Sequence, residues 1–263
     1  MTKSVTIMNF SGIYEKESFY KDMDYQWIEL KDIRGTNCYC DEAAQGKLTG
    51  ILKSYTPYGI HFIDSGNYHY TTKFWTAKLT RPFSLIVFDH HTDMQPPAFG
   101  DILSCGSWVR NLLVTCPNLV KIYLIGMPEK VCYFAGREKH KKLIWISEEK
   151  FMAGDNWKGF FQTSLKEPVY ISVDKDILTE KTVKTNWDQG NVTIDKLEEA
   201  LETILGNCPV LGMDVCGEYI YREYSKEKES ILAGQYYKMH DKINRLLLEC
   251  YLNTESNLLW KIN

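Results

Sequence analysis

Asp89, His91 and Asp93 stand two residues apart in FDHHTDMQ (88–95), where an apolar run ends. Alternate residues of an extended chain share a face, so if the strand geometry persists these three point to one side and His90 to the other. Carboxylates that close together resist joint ionisation unless a cation lies between them, and a divalent metal resolves the conflict. A polar turn capping the next helix is the plain alternative for such a pentad. It loses ground because SVDKDIL (172–178) again ends a run with two acids two apart, Asp174 and Asp176, and DSGNYHY (64–70) brings His69 just past a third strand end. Four Asp and two His thus gather at three strand ends. An oxygen-rich set with a minority of imidazole suits a hard to borderline ion such as Mn2+, has carboxylates enough to bridge two ions, and needs no thiolate.

Those residues need a scaffold, and the pattern around them supplies one. Short β-branched and apolar runs recur at 5–10, 59–64, 84–89, 121–126, 142–147, 169–174 and 209–215, and read as buried strands. Segments 102–114 and 193–205, with apolar residues three and four apart, read as helices, and a last helix is expected from about 226 to 253. Thr193 is an expected N-cap, and Gly206 stands where a terminating glycine is expected. Strands alternating with helices imply an α/β fold with a mostly parallel sheet covered on both faces. Ligands of such sheets bind beyond the carboxyl ends of the strands, where the acids and histidines fall. The less regular segment 11–56, rich in Tyr, Asp and Lys, is expected to add an edge element or to cover a rim.

GNYHY, DHHTD and SVDKD, in that order and at strand ends, resemble the three signatures of the ureohydrolases, the arginase and agmatinase family. The resemblance implies one three-layer α/β/α domain over 1–263 with a mostly parallel sheet of about eight strands. It implies two Mn2+ ions, other divalent ions being admissible: one held by His69, Asp89, Asp93 and Asp174, the other by Asp89, His91, Asp174 and Asp176, with Asp89 and Asp174 bridging. Asp93 would accept a proton from the attacking water. Cys105, in SCGSW (104–108), stands where the family carries a proton-transferring His, and Glu218, in GMDVCGEY (212–219), resembles a guanidinium-binding Glu although its spacing from Asp214 is one residue longer. Trp187 and Asp188, in TNWDQGN (185–191), are candidate pocket residues. The chain departs from the family where ILTE replaces an Asp-Pro after the third signature, and where Tyr68 replaces an acid before His69. These departures resemble a branch of arginase-like proteins that includes peptide arginases, so the implied substrate is a small guanidino compound or an arginine-containing peptide, cleaved to urea and an amine.

Composition bounds the remaining classes. A chain of 263 residues, 44% hydrophobic, can bury a full core in one large domain. A net charge of −3, mixed along the sequence, suggests neither a nucleic-acid partner nor a membrane surface, and homo-oligomerisation is left open. The start of the chain lacks the apolar run of a signal peptide, so a cytoplasmic address and eight reduced cysteines are expected; Cys38 and Cys40 read as two loop thiols. Two other readings stand beside the ureohydrolase. A deacetylase-like amidohydrolase would hold one zinc and cleave an acylated amine, and a non-catalytic relative would bind metal without turnover.

Overall fold

The computed structural model describes residues 3–97, 99–135, 140–154, 167–221 and 227–253. All seven apolar runs are strands: β1 (Val5–Asn9), β4 (Ile60–Phe62), β5 (Phe83–Phe88), β7 (Leu119–Ile125), β8 (Leu143–Ile146), β9 (Val169–Asp174) and β10 (Val210–Cys216). An eighth, β2 (Gln26–Glu29), comes from the irregular segment 11–56 and pairs with β1 at the sheet edge, fulfilling the first of the two roles expected of that segment. The order among the described residues is β2-β1-β4-β10-β9-β5-β7-β8, and every neighbouring pair is parallel.

Both faces of this sheet are buried, which is why its strands are apolar on both sides. Along β5, Ile86 and Phe88 enter one core and Leu85 and Val87 the other. The first core is closed by α6 (Ile194–Asn207), through Leu197, Leu201 and Ile204, and by α7 (Glu227–Asn253), through Ile243, Leu247 and Leu248. The second is closed by α1 (Glu42–Leu52), α2 (Thr72–Thr76) and α3 (Trp108–Thr115), with Leu48, Trp75, Trp108 and Leu112 inside. Short helices α4 (Glu129–Ala135) and α5 (Glu148–Ala153) follow β7 and β8. The chain is thus a single α/β domain with helices on either side of an eight-stranded sheet.

Local expectations fared unevenly. Thr193 caps α6, accepting from the Lys196 backbone N–H at 3.3 Å. Gly206 does not end that helix; it lies in the last turn, and the helix runs on to Asn207. The last helix begins at Glu227, residue 226 lying outside the described residues. The stretch 102–114 is not one helix. Leu103–Ser104 forms β6, an antiparallel ribbon with β3 (Tyr39–Cys40), and α3 starts only at Trp108. Ser107 supplies the physical reason: its hydroxyl reaches back to the Ser104 N–H at 3.1 Å and folds the intervening residues into a turn.

Candidate metal centre

The order of the sheet sets the four strands β4, β10, β9 and β5 side by side, so that their carboxyl ends open on one cleft of about 490 Å3. Asp89 follows directly on β5, Asp174 ends β9, and His69 comes from a short 3-10 helix (Gly66–Thr71) after β4. Gly66 and Gly217 permit the approach: a Cβ at Gly66 would stand 2.9 Å from Asp174 Oδ2, and one at Gly217, whose φ is +94°, 2.5 Å from Asp174 Oδ1.

The six expected residues fall into two clusters that share Asp89. His69 Nδ1 lies 3.2 Å from Asp89 Oδ2, 3.2 Å from Asp93 Oδ2 and 3.5 Å from Asp174 Oδ2. His91 Nδ1 lies 2.8 Å from Asp176 Oδ2 and 3.5 Å from Asp89 Oδ1. One carboxylate therefore turns one oxygen to each cluster. The route to this arrangement corrects the extended-strand expectation. β5 stops at Phe88, Asp93 sits in the left-handed region at φ +48°, and the Asp89 carboxylate accepts from the His91 backbone N–H. Asp89, His91 and Asp93 meet through a loop wrapped around Asp89, not along one strand face. His90 belongs to neither cluster; its Nδ1 lies 4.0 Å from Glu148 Oε2.

Sequence reasoning missed the residues that hold these groups. His69 Nε2 lies 2.9 Å from Ser172 Oγ, and that hydroxyl donates to Asp214 Oδ1 at 2.6 Å. Ser172 thus accepts from His69, fixing a proton on Nε2 and leaving Nδ1 as the nitrogen that faces the carboxylates. Trp108 Nε1 donates to Asp93 Oδ2, and the Cys216 thiol donates to Asp174 Oδ2 at 3.1 Å. Ser172, Asp214 and Cys216 each occupy a strand position next to a recognised motif, a signal that period-2 alternation could have supplied.

Four carboxyls and two imidazoles in so small a space perturb each other's protons. Burial and the Asp89 charge push Asp93 up to about 6, and burial with neighbouring carboxylates raises Asp174 and Asp176 as well. Burial disfavours a proton on His91, but the hydrogen bonds to Asp176 and Asp89 outweigh it and push the pKa up to about 12. Protons on the imidazoles are what balance the carboxylates here, and divalent cations would replace them. Two oxygen-rich clusters sharing Asp89, the first buried with the Cys216 thiol beside His69 and Asp174 and the second half-open at His91, are a donor set that fits a pair of hard or borderline ions.

The other expected residues divide. Trp187, Asp188 and Cys105 line the cleft. Glu218 does not: after Gly217 it turns to the opposite face of the sheet, fully buried, where it pairs with Lys175, accepts from Asn244 at 2.7 Å and stands 2.9 Å from His240 Nδ1. The left-handed turn at Gly217, φ +94°, is the reason: it breaks the strand alternation that would have kept Glu218 on the face of Asp214.

Residues 61–233 match the model of the arginase family. The chain belongs to the arginase family. A protein of Thermotoga maritima described as uncharacterized is 30% identical over 226 residues, spanning 86% of this chain and 84% of that one. The fold of this arginase-family chain is similar to that of the proclavaminate amidino hydrolase of Streptomyces clavuligerus, with TM-score 0.65 and 15% identity over 97% of this chain and 93% of the other. It is also similar to the formiminoglutamase of Trypanosoma cruzi solved with Mn2+, with TM-score 0.63 and 11% identity over 92% and 94%. Arginase-family proteins use a binuclear metal site and hydrolyse guanidino or amidino C–N bonds.

Proposed function

We propose that the protein is a binuclear, Mn2+-dependent ureohydrolase that cleaves the C–N bond of a guanidino group, releasing urea and an amine. The observation that carries this reading is the pair of clusters divided by Asp89 at the floor of an open cleft. His69, Asp89, Asp93 and Asp174 would hold one ion, and Asp89, His91, Asp174 and Asp176 the other. Bound there, two such ions would supply the Lewis acidity that lowers the pKa of the attacking water toward neutrality. Ser172 and Asp214 orient His69, and Trp108 fixes Asp93 through Oδ2. Asp93 takes the proton of the attacking water at Oδ1. Cys105 is not given that step, because its Cys38 neighbour and burial push its thiol far above neutrality and it keeps its own proton.

A guanidinium needs a carboxylate and a flat apolar surface. Glu218 is engaged with Lys175 behind the sheet, so that role passes to Asp188 and the exposed face of Trp187, both at the cleft wall. Because Trp187 and Asp188 lie at the surface, the cleft admits a side chain presented by a larger molecule, which supports an arginine-containing peptide as substrate.

The test is incubation with Mn2+ and a panel of free arginine, agmatine, guanidino acids, formimino amino acids and arginine-containing peptides, read by urea release and mass change. Urea from peptides, with two metal equivalents retained per chain, is expected. Deacylation of an acylated amine with a single bound zinc would overturn the reading.

A further inference from the structure

The ribbon formed by β3 and β6 carries a feature that the metal chemistry does not use. Tyr39 pairs with Ser104 and Cys40 with Leu103 in antiparallel register, and Cys38 and Cys105 flank the end of that ribbon, Cys38 in the left-handed region at φ +60°. The Cys105 backbone N–H donates to the Cys38 carbonyl at 2.9 Å, so the pairing extends to these two residues. With standard backbone bond lengths that contact keeps the two Cα atoms within about 6.8 Å of each other, the upper end of the roughly 4.4–6.8 Å that a disulfide spans. The two side chains also interact, Cys38 being the foremost cause of the raised Cys105 pKa. Both line the mouth of the metal cleft, Cys38 partly exposed and Cys105 buried beneath it. Cys40 is fully buried in the second core, and strand alternation turns it away from this pair.

We propose that Cys38 and Cys105 form an oxidative modification site, at which a small hydroperoxide converts the cross-strand thiol pair to a disulfide at the cleft mouth. The accessible Cys38 sulfur attacks the peroxide O–O bond, becoming a sulfenic acid as one water leaves. The Cys105 sulfur then displaces the hydroxyl, its thiol proton passing to the departing oxygen, so that the S–S bond forms and a second water leaves. Two thiols are oxidised by two electrons and one peroxide is reduced. The bond staples one wall of the cleft and removes the Cys105 S–H from it. The proposal stands apart from the ureohydrolase reading, because its readout involves neither metal nor turnover.

The test treats the reduced, full-length protein with hydrogen peroxide, blocks remaining thiols by alkylation and maps the digest by fragmentation mass spectrometry. The expected product is a cross-linked pair joining Cys38 to Cys105, two hydrogens lighter than the sum of its peptides and split by dithiothreitol. Two of the eight cysteines should disappear from the alkylated pool. In Cys38→Ser, a substitution at a partly exposed position, Cys105 should stay alkylatable under the same treatment. Oxidation of Cys38 to sulfinic acid with Cys105 still free, or a cross-link through Cys40, would overturn the proposal.

Discussion

Ser172 shows how one hydroxyl sets the chemistry of a neighbouring ring. It accepts from His69 Nε2 and donates to Asp214, so His69 Nδ1 is the nitrogen turned to the carboxylates. Ser172→Ala should therefore weaken Mn2+ affinity by about 10–100-fold, the usual cost of losing the partner that orients a metal-binding histidine. Calorimetric titration with Mn2+ checks this, and unchanged affinity would remove Ser172 from the site. His61 makes a different prediction, about folding. It is fully buried and stacked on Trp75, with Nε2 3.1 Å from the Thr56 carbonyl and Nδ1 3.0 Å from the Tyr170 hydroxyl. The carbonyl can only accept, so Nε2 carries the proton and Nδ1 accepts from Tyr170. Burial lowers the pKa to about 3. A depressed histidine pKa means that the unfolded chain takes up the proton first. The stability His61 contributes is thus fully present above its ordinary value of 6.5 and drains as pH falls toward 3. Urea midpoints measured between about pH 7 and about pH 5 should fall less steeply in His61→Gln than in the parent.

At the scale of elements, the end of β9 is tied to α7 across the sheet from the metal clusters. Lys175, between Asp174 and Asp176, sends its ammonium to Glu218 and to Asn244 Oδ1 at 2.8 Å, and Asn244 donates to Glu17 at 2.9 Å. Lys175, Glu218 and Asn244 are fully buried. Removing one charge of a buried pair strands the other, so Lys175→Met should cost about 3–5 kcal/mol. Lys175→Met with Glu218→Gln should recover much of that loss, since the double variant leaves no unpaired ion. Denaturant unfolding of the single and double variants gives the coupling directly; additive losses would show that the pair does not act as a unit. The same tie explains why α7 bears on the site although none of its described side chains lines the cleft: it clamps the Asp-Lys-Asp turn from behind.

At the scale of the whole molecule, the cleft exists only when four strands are in register, so metal binding and folding are linked. Ions that bind the native clusters alone should stabilise the fold by about 2.7 kcal/mol per site at a hundredfold excess over Kd. Thermal unfolding with Mn2+ and then with a chelator should show a clear fall in Tm, and an identical Tm would argue against ions in these clusters. Much of this organisation is legible in the chain. The seven apolar runs became seven strands, because a sheet buried on both faces demands continuous apolar segments whatever their order. Asp89, His91, Asp93, Asp174, Asp176 and His69 were legible because acids and histidines at the ends of such runs have few other uses. What the chain did not display was which runs become neighbours. β10, late in the sequence, inserts between β4 and β9, bringing Cys216 and Asp214 beside residues that precede them by as many as 147 positions, the separation of Cys216 from His69. Nor did it display the face on which Glu218 falls, which the left-handed turn at Gly217 reverses. Residue type and spacing determined the chemistry available to this protein; strand order and chain direction at the sheet end, set by packing of the two cores, decided which side chains meet there.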